Sequence, residues 1–304
     1  MTNNRRTFLR TGSALAGIFL LNKPIKALGA SAQKVMTLEN LHNSLVIYHT
    51  NDLHGTIGDD LLNNEGVRFI SKSYKNNDTL GFLLDAGDFL NGLGETAYDK
   101  KVIQLMNQTG YHAATLGNKE MANGEDHLAA LTQYVNFNLI NCNYTFTNPV
   151  LQTKVLPYAI FKSGQLRIGI TGVGPKVQNI TGFKNPYKSA TEIANKLKLE
   201  KNCDVVICLS HLGTDSKHFN NKDLALESEN IDIIIGGHGE NKQLNALVLR
   251  NKLKQEVIIR QGAENGSMLG KMTFDHNDQK EFRAMEFRKF RPQNHQVSPI
   301  EIVT

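Results

Sequence analysis

The stretch LGFLLDAGDFLNG, residues 80–92, packs apolar residues side by side and then places Asp85, Gly87 and Asp88 within four positions. An apolar run without polar alternation reads as a short strand buried on both faces. The Asp and Gly residues after it read as the turn that ends the strand. Similar runs bounded by turn residues recur at SLVIYHT (44–50), HAATLGN (112–118), FNLINCN (137–143), LRIGITGVG (166–174), DVVICLSHLG (204–213) and DIIIGGHGE (232–240). Between them lie KKVIQLMNQTG, GEDHLAALTQYV and ATEIANKLKLEKN, with apolar residues at helical spacing. Alternating strands and helices predict an α/β architecture. No Pro/Gly/Ser linker divides residues 33–275, so a single domain is expected, closed by a strand and a loose tail in the last thirty residues.

The chain has 304 residues and a formal net charge of +5, and the position of that charge decides its meaning. Arg5, Arg6, Arg10, Lys23 and Lys26 are five of the 34 basic residues, and residues 1–32 contain no acid, so the remainder carries 29 of each sign. No basic stripe remains to argue for a nucleic-acid partner. The front end instead reads as a signal peptide: paired arginines, an apolar run from Ser13 to Leu21, then Ala30-Ser31-Ala32. That run is well short of the ~20 residues needed to cross a bilayer, so no stable membrane anchor is expected. NRRTFLR resembles a twin-arginine export signal, which implies a periplasmic or otherwise exported protein. Cys142, Cys203 and Cys208 lie in or beside apolar runs at irregular spacing, which predicts buried free thiols rather than a disulfide framework.

Several predicted strands end in side chains able to bind a metal: Asp52 and His54, Asp88, Asn118, His211, then His238 and Glu240. One Asp-x-His after a strand is ordinarily a capped turn. Several such ends together mean more, because in α/β sheets ligands bind outside the carboxyl ends of the strands. A mixed set of carboxylate, imidazole and amide oxygen suits divalent Zn, Mn, Fe or Co.

IYHTNDLHG, LLDAGDFLNG, TLGNKE, ICLSHLG and IIIGGHGE follow the order and approximate spacing of the calcineurin-like metallophosphoesterases. They most closely resemble the catalytic domain of the 5′-nucleotidase and UDP-sugar hydrolase family, and the likeness extends from about Leu45 to Phe274. The resemblance implies a four-layer α/β/β/α sandwich in residues 33–304 after a signal peptide at 1–32. It implies two divalent ions: Asp52 and His54 on one, Asn118, His211 and His238 on the other, and Asp88 bridging both. Glu240 stands where the family often has the last histidine of GGHxH, an oxygen ligand that favours harder ions. The implied activity is hydrolysis of a phosphate monoester or phosphoanhydride, a nucleotide among the candidates, by metal-bound hydroxide.

Two departures bear on that expectation. The family's GNHE histidine is replaced by Lys119, and the aspartate that usually supports it by Ala122. A lysine ammonium offers charge and hydrogen bonds but does not readily give up a proton near neutral pH. Lys119 then stands as an electrostatic substitute suited to good leaving groups, as a residue pointing away from a slower site, or as the mark of a metal-binding subunit with little turnover. The second departure is that no nucleotidase C-terminal, base-stacking domain follows before Thr304, which leaves room for a separate partner chain carrying one.

Overall fold

In the strand Ser44–Thr50, Leu45 and Ile47 enter one apolar core while Val46 and Tyr48 enter another, and all four are buried. Val205–Ser210 divides its side chains likewise: Val205, Ile207 and Leu209 face the first of these cores, Val206 and Cys208 a third. A strand with apolar packing on both faces has no need of polar alternation, which is why these runs are continuously apolar.

This computed structural model describes residues 36–38, 44–58, 65–77, 79–178, 180, 182–239, 246–276 and 282–290. They lie within one compact unit, Lys34–Thr304. A seven-stranded sheet runs in the spatial order Phe282–Phe290, Leu269–His276, Ser44–Thr50, Phe82–Asp85, Ala113–Ala114, Asn138–Ile140, Val155–Leu156. A second runs Met36–Leu38, Tyr158–Ser163, Leu166–Val173, Val205–Ser210, Ile233–Gly236, Glu256–Gln261, Leu247–Arg250. The central pairings are parallel, as the run of strands and helices predicts. Tyr158–Ser163 and Leu166–Val173 pair antiparallel because the two-residue connection Gly164-Gln165 allows only a hairpin. Leu247–Arg250 with Glu256–Gln261, and Leu269–His276 with both its neighbours, are antiparallel too, whereas the edge strands Met36–Leu38 and Val155–Leu156 pair in parallel.

The core shared by the sheets contains Phe82 and Leu84 from one and Ile170, Ile207 and Ile235 from the other, with Phe82 and Phe161 in edge-to-face contact at 5.2 Å. Gly66–Lys75, Thr96–Thr109 and Gly124–Leu131 cover the outer face of the first sheet through Val67, Ile70, Val102, Met106 and Leu128. Pro186–Asn195 and Asn221–Glu227 cover the second through Ala190, Ala194 and Leu224. The result is the expected four-layer α/β/β/α order.

Local chemistry accounts for the helix limits. Thr96–Thr109 stops at Gly110, whose φ of 98° is a left-handed cap that glycine adopts without steric cost. Pro186–Asn195 starts with Asn185 accepting from the amides of Tyr187 and Lys188, and Pro186 occupies the position where no amide is needed. Its last turn widens into a π-helix at Lys196–Glu200, within the stretch that helical spacing marks as regular.

The three cysteines are free. Burial pushes the Cys142 thiol up to about 12 and Cys203 up to about 11, so neither is a ready thiolate. Among the described residues no helix is long and apolar enough to cross a membrane. Phe282–Phe290 supplies the expected closing strand, while the signal peptide at 1–32 and the tail at 291–304 lie outside the described residues.

Candidate metal centre

The loops after Ser44–Thr50 and Phe82–Asp85 stay zipped together beyond their strands. Asp52 N donates to Gly87 O at 3.0 Å, His54 N to Asp88 O at 2.8 Å and Gly55 N to Phe89 O at 3.0 Å. Asp52, His54, Asp88 and His238 all have positive φ, between 48° and 62°. Non-glycine residues rarely adopt this conformation, and such strain concentrates where structure is committed to a site.

The side chains converge on Asp88. Its Oδ1 accepts from the amide of Lys119 at 2.8 Å. Its Oδ2 lies 3.2 Å from His211 Nε2 and 3.8 Å from His54 Nε2. Asp52 Oδ1 is 3.6 Å from His54 Nε2 and 3.7 Å from His211 Nε2. Two groups have donor atoms close enough to hold an ion: Asp52, His54 and Asp88, and Asp88, His211 and His238. Asp88 belongs to both. Asn118 opens the short helix Asn118–Met121, and its Oδ1 is buried with no hydrogen-bond partner.

Hydrogen bonds on the far side of each ring fix which nitrogen faces inward. His211 Nδ1 donates to Ala86 O at 2.7 Å, leaving Nε2 toward Asp88. His54 Nδ1 lies 3.3 Å from Asn265 Oδ1, which leaves its Nε2 toward Asp52 and Asp88. Such partners set the tautomer that ligation requires.

Electrostatically the cluster attracts positive charge. Burial raises the carboxyl pKa of Asp52 and Asp88, but the facing histidines and hydrogen-bond donors outweigh it, and both fall below the usual range. Burial pulls His211 down, yet Asp88 and Asp52 overcome it and push the imidazole up to about 10. Hydrogen bonding to Asp52 raises His54, whereas burial and the neighbouring His211 lower His238. Without a cation, the carboxylates draw a proton onto His211. With His211 Nε2 and Asn118 Oδ1 both buried and lacking a hydrogen-bond partner, this donor set fits divalent ions.

Four supporting residues escaped the sequence reading. Asn51 donates to Asp52 Oδ2 and accepts from Gly262 N, both at 2.6 Å, tying Asp52 to the second sheet. Asp85 accepts from Thr50 Oγ1 at 2.7 Å and from Gly87 N at 2.8 Å; full burial pushes its carboxyl well above the usual range. Glu120 accepts from three backbone amides, and Asn265 orients His54. Glu120, three residues after Gly117 at a helix start, stands where a glutamate reaches back to the N-cap amide, as it does to Gly117 N, although Gly117 has no side chain to complete a capping box; that position is the signal that could have found it. Asn265 sits in an Asn-Gly turn more than two hundred residues from His54, with nothing local to connect them.

Lys119 is partly buried, and its stem runs toward Gly92, where a β-carbon would meet Lys119 Cδ at 3.0 Å. Ala122 is exposed beside the same glycine. Glu240 lies outside the described residues.

Snake venom 5′-nucleotidase from Gloydius brevicauda is 27% identical to this chain over 218 residues, covering 64% of the chain and 36% of the venom protein. The chain therefore spans little more than a third of that relative's length. The 5′-nucleotidase precursor from Thermus thermophilus superimposes with a TM-score of 0.68 at 23% identity, over 82% of this chain and 54% of that one. Haemophilus influenzae NAD nucleotidase gives 0.66 at 21%, over 86% and 60%. Both structures share the fold. The sequence pattern of the calcineurin-like phosphoesterases matches residues 45–239, from the first central strand through the glycine after His238, and the chain belongs to that family.

Proposed function

We propose that this chain is an exported dinuclear-metal phosphoesterase that hydrolyses a phosphate monoester or phosphoanhydride, with nucleotides among the candidate substrates. One observation carries the reading: Asp88 Oδ2 faces His54 on one side and His211 on the other, so one carboxylate is common to two donor groups. In this reading Asp52 and His54 hold the first ion, Asn118, His211 and His238 the second, and Glu240 completes the first. When bound, two divalent ions supply positive charge for phosphate oxygens and lower the pKa of water toward neutrality. The chain's own part is to hold the donors in place and to direct Nε2 of His54 and of His211 toward Asp52 and Asp88, while the Lys119 backbone amide holds Asp88 Oδ1 and the Lys119 stem runs toward Gly92. Lys119 favours leaving groups that depart without a proton, because an ammonium neutralises developing charge better than it donates hydrogen. Export rests on the NRRTFLR signal.

The test uses purified mature protein with Mn, Zn or Co on p-nitrophenyl phosphate, its bis ester and a nucleotide panel. Metal-dependent turnover that disappears in Asp88→Ala supports the proposal. Stoichiometric metal with no turnover on any substrate contradicts it.

A further inference from the structure

We infer that Glu120 is the positioning residue that sets the two donor groups at a fixed separation, by clamping the Asp88 turn to the Gly117-Asn118 turn. This rests on the metal-site reading above. Glu120 is 1% exposed, and its carboxylate is consumed by backbone amides of two different loops. Oε2 accepts from Asp88 N at 2.9 Å and Gly117 N at 2.8 Å, and Oε1 accepts from Leu90 N at 2.9 Å.

The need for a clamp follows from the sheet. Phe82–Asp85 and Ala113–Ala114 pair over only two residues, Leu84 with Ala113 and Asp85 with Ala114, followed by one bond from Thr115 N to Asp85 O. The Asp52 and Asp88 loops continue their own ladder, as described above. The Asp88 and Asn118 loops are instead joined through Glu120 and the Lys119 amide on Asp88 Oδ1. Asp88 serves both groups and Asn118 the second, so the second ion depends on Glu120 through two of its donors.

Both oxygens of Glu120 are acceptors. A glutamine of the same shape must therefore turn its NH2 toward a backbone N–H whichever way it is flipped, losing at least one bond and opposing two donors. An aspartate keeps the charge but is one methylene too short to reach all three amides.

The experiment titrates Mn into metal-stripped mature protein by calorimetry, with electron paramagnetic resonance following the magnetic interaction between neighbouring ions. Wild type is expected to take two ions that interact. Glu120→Gln is expected to keep the first and bind the second about tenfold or more weakly, losing the interaction signal, while Glu120→Asp falls between. Thermal unfolding in chelator checks each variant apart from metal. A folded Glu120→Gln protein with two interacting ions at wild-type affinity overturns the inference. If Glu120→Gln does not fold, a folded Glu120→Asp protein with wild-type second-ion affinity overturns it equally. Wild type with two ions and no turnover defeats the phosphoesterase reading alone; wild type with fewer than two defeats both.

Discussion

Gly117 and Asp88 hold their places together only because residue 117 has no side chain: a β-carbon there would overlap Asp88 Oδ1 and come within 2.7 Å of His211 Cδ2. The backbone of Gly117, at φ −100° and ψ −162°, is ordinary extended chain, so close approach and not conformational freedom demands the glycine.

Gly117→Ala is therefore expected to displace Asp88 and His211 together. The variant should fold, since the overlap is confined to the site, but bind the second ion at least about tenfold more weakly. Calorimetric Mn titration checks this, and wild-type affinity for both ions would show that the site tolerates the added methyl.

Asn265 acts on the other donor group. Its removal in Asn265→Ala frees the His54 ring from its outer partner, and loss of such a partner ordinarily costs about 10- to 100-fold in metal affinity. Asn265→Asp retains an acceptor at the same distance and should recover most of the loss. Equal affinities for all three proteins would contradict an orienting role.

The strands were legible because Val46, Ile47, Leu83 and Leu84 are apolar on both faces, and only buried strands tolerate that pattern. Their site residues were legible because polar, metal-capable groups directly after such strands stand out. Asn51 and Asn265 were not, since each works through a partner reached only after the chain folds, Gly262 in one case and His54 in the other. The antiparallel edge strand Leu247–Arg250 carries partly exposed side chains and lacks the continuous run that marks the centre.

His49 predicts a pH effect separate from the metal donors. It is fully buried, its ring nitrogens have no hydrogen-bond partner, and burial together with the nearby Arg260 charge lowers it to about 3. The unfolded chain takes up this proton near the ordinary pKa of 6.5, so between about 6.5 and 3 the unfolded state binds more protons. Stability should fall as pH falls through that window, by up to about 1.4 kcal/mol per pH unit from this group. Denaturant unfolding in chelator should show a shallower acid dependence for His49→Leu. Parallel curves for the two proteins would contradict the assignment.

Lys119 predicts a dependence on leaving group. Lys119→His combined with Ala122→Asp restores a proton donor and its support, and a general acid typically contributes ~10² to 10⁴ in rate. The double variant should gain at least about tenfold on alkyl phosphates, whose leaving oxygen needs a proton, and little on p-nitrophenyl phosphate, which does not. An equal change on both substrates would contradict this role for Lys119.

Sharing of Asp88 between two cations is tested most directly by anomalous diffraction from crystals of the protein loaded with Mn or Zn. Two peaks are expected about 3.5–4 Å apart, on either side of Asp88 Oδ2, one contacted by Asp52 and His54, the other by Asn118, His211 and His238. A single peak, or two peaks of which one does not touch Asp88, would contradict it.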